Sequence, residues 1–265
     1  MADDLPGPIF TPGTSSLVSL PRTLARPAFR EINRDALASV EPELRDVPVE
    51  YVKRHIAQQA GSMVQALSAA SSSVPQSLPK ARIPKSFQVA ASPSAPTHVL
   101  ALASASQSSS NITLIPTHHL VLAIHCSHMP SLPASKPGSG SVLVVPMTVP
   151  SASTFPILHN YLYTKRLDTL LNSMVQLPPS FIPSGSSSSS SGLSHISPDA
   201  IKRASHHLAS SSMYSAEPLM RYVGIVNSMW KNVCALGVFE RDLWQAMDIA
   251  WEIVLGAVAI VESRK

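Results

Sequence analysis

The sequence predicts an α+β fold, a small sheet flanked by helices, with additional C-terminal helices and disordered Ser/Pro-rich segments. Hydrophobic residues make up 45% of the 265 positions, which is enough to build a packed core. Against this stand 24 prolines, long serine stretches and only 14% charged residues, a mixture that suits linkers better than continuous packing. The apolar runs also change character along the chain. They are short and β-branched in the middle and helically spaced toward the C-terminus.

Residues 1–47 read as a disordered, extended N-terminal arm, because prolines at 6, 8, 12, 21, 27 and 42 remove backbone donors and bias the residues before them away from helix. A short helix over 34–40 is the expected exception. Residues 48–70 form an amphipathic helix, in which Val52, Ile56, Ala60, Met63 and Leu67 share one face that needs a partner surface. Residues 71–97 return to Ser and Pro and are assigned as a linker.

The core is placed at 98–177. Residues 98–103 and 111–115 are strand-like, and the Ser-rich stretch between them turns the chain. Thr117 is the expected N-cap of a helix over 118–126. Val142 to Val145 is an unbroken aliphatic run, expected as a strand buried on both faces. Two short helices follow, over 155–163 and 166–175. The candidate core positions are Leu122, Val144, Phe155, Leu158 and Leu162, with Phe155, Leu158 and Leu162 on one helix face beneath the strand. Tyr163 falls at the edge, its hydroxyl requiring a partner.

Residues 178–197, with six consecutive serines from 186 to 191, form a second linker that cannot pack. Residues 198–265 form a C-terminal helical part packed on the core. Its first helix starts at Pro198 with Ser197 as cap, and Gly237 separates two longer helices. All 3 tryptophans lie in those two helices, with Trp230 and Trp251 as expected core residues. Residues 243–261 are apolar, but Gln245, Asp248 and Glu252 fall on one helical face, so a buried amphipathic helix is expected rather than a membrane span.

The net charge of +4 is mild, and Lys and Arg are not gathered into a stripe that would neutralise many phosphates. Direct nucleic-acid binding is therefore not expected. The competing reading is a sequence-specific DNA-binding transcription factor. Lys80, Arg82 and Lys85 fit either a solubilising linker or a weak nuclear-import address. No basic and apolar leader opens the chain, which points to an intracellular protein.

Chemistry is hard to place. His118, His119, His125, Cys126 and His128 are crowded, but no second ligand pair of close spacing accompanies them. They are read as one capping histidine and some exposed ones. Cys126 and Cys234 read as small buried hydrophobes. There is no nucleophile elbow and no phosphate loop with Lys. No catalytic residue, metal or cofactor is expected. Ser92 and Ser197 each precede proline and are candidate phosphorylation sites, Ser197 at a helix N-terminus where a phosphate meets the dipole favourably.

The run Thr117-His118-His119-Leu120-Val121-Leu122-Ala123-Ile124-His125-Cys126 resembles the BTB/POZ stretch Ala-His-Lys-X-Val-Leu-Ala-Ala-X-Ser. A later BTB/POZ helix ends in Leu-Tyr-Thr-Gly, and here Leu162-Tyr163-Thr164-Lys165 stands in its place. Cys126 for Ser, Lys165 for Gly and Pro156 inside the helix are departures. As a whole, through 117–133, 155–171 and the Trp-bearing helices, the chain is similar to the clampless-type proteins of mushroom-forming fungi. That resemblance implies a non-enzymatic developmental regulator of clamp-connection formation and dikaryon development. Its partners would be proteins, transcription regulators among them, and it would act in the nucleus or cytoplasm.

Overall fold

A computed structural model describes residues 20–105, 109–135, 140–178, 181 and 196–264. It contains a mixed sheet of 5 strands: β1 (Ser77–Pro79), β2 (Ser86–Gln88), β3 (His98–Ser104), β4 (Asn111–Thr117) and β5 (Ser141–Val149). Their order across the sheet is β1-β4-β3-β5-β2. β3 pairs antiparallel with β4 and parallel with β5, so the central strand is hydrogen-bonded on both sides. The helices are α1 (Arg34–Val40), α2 (Val49–Ala70), α3 (His119–His125), α4 (Phe155–Thr164), α5 (Leu167–Met174), α6 (Pro198–Ser211), α7 (Ala216–Leu236) and α8 (Arg241–Glu262).

The side-chain alternation of the strands divides the core in two. Leu100, Leu102, Ile115, Val145, Met147 and Val149 face the helices. Val99, Ala101, Ile112, Leu114 and Val142 face the other way. The run from Val142 to Val145 is therefore not buried on both faces as its composition suggested. Only Val142 is fully buried, and Val144 is half-buried on the second face while Val145 joins Leu158 and Leu162. Phe155, Leu158 and Leu162 of α4 are buried as their spacing predicts, alongside Leu122 of α3.

The segment 71–97 is not a linker. It supplies both edge strands, and Val74, Leu78, Ile83, Phe87 and Val89 cover the second face of the sheet. Its strands are too short for a period of two to be seen between prolines. Prolines also close the sheet. Hydrogen bonds from Val144 N–H to Lys85 O and from Leu114 N–H to Gln76 O show that even-numbered residues of β5 and β4 face outward. Pro146 and Pro116 therefore fall where the short edge strands end, and they remove a donor that an open edge would otherwise present.

Residues 20–47 of the expected disordered arm are also packed. α1 spans Arg34–Val40 with the Asn33 side chain as its cap, and Leu24 and Leu37 are buried. Prolines do forbid regular structure in residues 20–30, but the carbonyls they leave free are taken by tryptophan N–H groups: Trp251 Nε1 donates to Pro21 O (3.0 Å) and Trp230 Nε1 to Ala25 O (2.7 Å). Residues 1–19 lie outside the described residues, as does most of 178–197, although Phe181 is buried and so part of that segment packs.

α8 is the centre of the helical layer and packs against α5, α6 and α7. Among the described residues it is the helix long and apolar enough to cross a membrane, and 56% of its most apolar window is buried inside the fold. Gly237, in the left-handed region at φ 65°, ends α7. A side chain there would strike Ser127 Oγ at 2.2 Å, because residues 127–128 bond back to the carbonyls of Gly237 and Leu236.

Leu162→Ala is expected to cost about 2–5 kcal/mol in denaturant unfolding, the range for a buried leucine. Val144→Ala, half-buried on the thinner face, is expected to cost less than half as much. Equal costs would contradict the division of the core.

Candidate functional site at the junction of sheet and helices

Two polar clusters sit where the strands meet the helices. The first is built on the start of α3. Thr117 is the last residue of β4 and not the helix cap; His118 takes the cap position. The His118 backbone N–H donates to Tyr163 Oη (2.9 Å). Its Nε2 donates to Ser94 O (3.0 Å), which leaves Nδ1 to accept the Tyr163 hydroxyl (3.0 Å). Thr117 Oγ1 lies 3.0 Å from His159 Nε2. Beside them, His98 donates from Nε2 to Pro133 O, and the His119 N–H donates to Thr97 Oγ1. The partner that Tyr163 required is thus the α3 N-terminus, and His118, His119 and His125 are buried, not exposed.

The second cluster centres on Glu240, at the start of α8. His125 Nδ1 at the end of α3 donates to its Oε1 (2.5 Å), and Lys165 Nζ donates to both oxygens (2.7 and 2.9 Å). Lys165 Nζ also lies 5.0 Å from the Tyr161 ring centre, and burial, with the Glu240 charge nearby, pushes the pKa of the Tyr161 hydroxyl up. Hydrogen bonds from His125 and the charge of Lys165 hold the Glu240 carboxyl well below its usual range, although burial opposes them. Lys165 reaches it from the left-handed region at φ 52°, directly after α4. This is the helix-ending position at which a glycine is the usual choice.

The His125–Glu240 pair borders a groove of about 370 Å³ whose other walls include Phe29, Arg34, Lys53 and Phe239. Phe29 is 70% exposed and meets Phe239 edge to face at 5.2 Å. Tyr51 of α2 is 64% exposed but is not part of the groove wall, since it lies two residues from both Val49 and Lys53 and so on another side of the helix. Burial pushes the neighbouring Cys126 thiol up to about 12, so it stays protonated and cannot serve as a thiolate nucleophile. Among the described residues no group of three or more His, Cys, Asp or Glu side chains could hold a metal.

Trp230 and Trp251 are buried as expected. Ser197 caps α6, its Oγ accepting from the Ala200 N–H, and is exposed, while Ser92 is half-buried in a turn. Glu240 and Asn232 were not foreseen. Asn232 is fully buried, accepts from the Ser151 N–H and donates to Ser151 O and Thr154 Oγ1, binding α7 to the end of β5. The only signal for Asn232 was a polar residue on the apolar face of a helix. Glu240 gave none.

Lys165→Ala removes the ion pair and keeps the strain of a side chain in the left-handed region; Lys165→Gly removes both. The alanine variant is therefore expected to be less stable than the glycine variant by about 1 kcal/mol in denaturant unfolding. The pH dependence has a definite sign. Burial lowers the pKa of His98, His118, His119, His125 and His159, that of His119 to about 4 and that of His159 to about 3. Below the unfolded value near 6.5 the unfolded chain therefore binds protons that the folded chain refuses, and stability falls with pH. His159 alone predicts a loss of about 1.4 kcal/mol per unit between pH 6 and pH 4. Stability that stays level from pH 7 to pH 5 would contradict the buried network.

Among curated proteins, the chain is 27% identical over 116 residues to Clampless protein 1 of Cryptococcus neoformans var. neoformans serotype D, from strains JEC21 and B-3501A. The match covers 44% of this chain and 20% of each relative, so the chain spans about a fifth of their length. No solved structure matches it. The profile of the clampless protein 1 N-terminal domain matches residues 27–162, and that of the C-terminal domain matches 168–265. The first carries α3 with His118 and α4 as far as Leu162, the second carries Glu240 and the tryptophans, and the chain belongs to the clampless protein 1 family.

Proposed function

We propose that the chain is a non-enzymatic protein-binding module that takes part in clamp-connection development. The observation that carries this reading is the groove beside Glu240, where Phe29 exposes large aromatic surface beside a charge-bonded wall. Exposed aromatics over a well-packed floor are the usual energetic centre of a protein interface. The core is described as BTB/POZ-like because strand, strand, helix, strand, helix, helix follow in that order from β3 to α5. The partners are proteins, transcription regulators among them, and the site of action is the nucleus or cytoplasm.

The DNA-binding alternative is less well supported. Arg26, Arg45, Lys53 and Arg166 are each paired with a carboxylate, at Asp248, Asp35, Glu50 and Asp168 respectively. Those four charges are less available for phosphates.

Replacing Phe29 by Ala is expected to change stability by less than about 1 kcal/mol, since it is a surface position, and to abolish capture of the chain's protein partners from extracts of mating cells. The wild-type chain should give no salt-dependent shift of pooled DNA. Undiminished capture by the variant, or a DNA shift that weakens steeply with salt, would overturn the reading.

A further inference from the structure

The 3 tryptophans of the chain all meet one extended segment, residues 20–26. Trp251 and Trp230 hold the carbonyls of Pro21 and Ala25, four residues apart. Arg26 lies over the Trp244 ring at 5.4 Å and pairs with Asp248 on α8. Leu24 is the one buried side chain between them, and Arg22, Thr23, Ala25 and Arg26 are exposed. The contacts are those by which a receptor holds an extended peptide: indole donors for main-chain carbonyls, a pocket for one apolar anchor, and a carboxylate for a cation two residues on. Prolines at 21 and 27 bracket the segment and favour the extended form it adopts.

The segment is lightly held. One buried leucine, the partly buried Leu20, two indole hydrogen bonds, the Arg26–Trp244 contact and an ion pair whose side chains are 56% and 41% exposed must offset the ordering of the whole stretch. It also leaves room beside it: a cavity of about 790 Å³ is bordered by Arg22, Leu24, Asp248, Trp251 and Glu252. The segment precedes the residues that match the family, which begin at 27, whereas the tryptophan face lies wholly within them.

We infer that the tryptophan face of α7 and α8 is a docking groove for an extended, proline-bracketed peptide of a partner protein, carrying an apolar anchor and an arginine two residues after it. Residues 20–26 are its exchangeable occupant in the free chain. The charge match is specific, because Asp248 and Glu252 on the groove face the two arginines of the segment. The groove is separate from the Phe29 surface, and its test does not depend on that reading.

The probe is a fluorescent synthetic peptide of residues 19–27 added to the full-length chain, with binding read by anisotropy and by intrinsic tryptophan emission. The wild-type chain should bind it weakly, since its own segment competes. Arg26→Ala should strengthen binding by about fivefold, and Leu24→Asp with Arg26→Ala by at least about tenfold, as the competent fraction rises. In the Arg26→Ala background, Asp248→Asn should weaken the arginine-bearing peptide and leave a peptide with Ala in place of Arg26 unaffected. Because Arg26 and Asp248 are surface positions, these variants decide the question even if the double variant fails to fold. Equal affinity of wild type and Arg26→Ala, or no binding by folded variants, would overturn the inference. Peptide-sensitive emission that appears only with dimer formation would assign the groove to a second copy and overturn it as well.

Discussion

The carboxylate of Glu240 sits where three elements end or begin: α3 at His125, α4 at Lys165 and α8 at Glu240 itself. Burial opposes its charge, and the donors from His125 and Lys165 make the site tolerable. Removing either of them leaves a desolvated charge, so the three elements must arrive together. That requirement fixes the helical layer against the sheet. Asn232 and the pairing of residues 127–128 with Leu236 and Gly237 repeat it a short distance away with neutral hydrogen bonds. Lys165 shows the balance involved. A left-handed backbone costs about 1 kcal/mol for a residue with a side chain, and here that conformation aims the ammonium at the carboxylate.

The same logic of completed hydrogen bonds shapes the periphery. The sheet is short at its edges and closed by Pro116 and Pro146, which remove donors that a further strand could pair with. The proline-rich N-terminal segment lacks the donors to form structure of its own and borrows them from tryptophans. Hydroxyls of Tyr163 and Thr97 take N–H groups at the start of α3, and buried histidine rings join it to β4 and α4. Because those rings are held uncharged, the fold is tied to near-neutral pH.

Much of the architecture was legible in the sequence because it rests on periodicity. The spacing of Leu158 and Leu162, the run of Val52, Ile56 and Met63, and Gly237 between two apolar helices each follow from how a helix buries one face. What was not legible has a common cause. Residues 71–97 and 20–30 pack by single side chains and by carbonyls given to distant donors, and composition averages such contacts away. The histidines were misplaced because a polar residue reads as exposed unless its partner is known, and Ser94 and Tyr163 lie 24 and 45 residues away. Glu240 was invisible for the same reason: its partners His125 and Lys165 come to it only in space.

The central claim is that this buried carboxylate makes the sheet and the C-terminal helices one cooperative body. Native-state hydrogen exchange on the Glu240→Gln variant tests it most directly. The account predicts that amides of β3, α4, α7 and α8 lose protection together, each by the same free energy as the global loss of stability. Loss of protection confined to α7 and α8, with β3 to β5 exchanging as in the unaltered chain, would show that the two halves open independently and would contradict it.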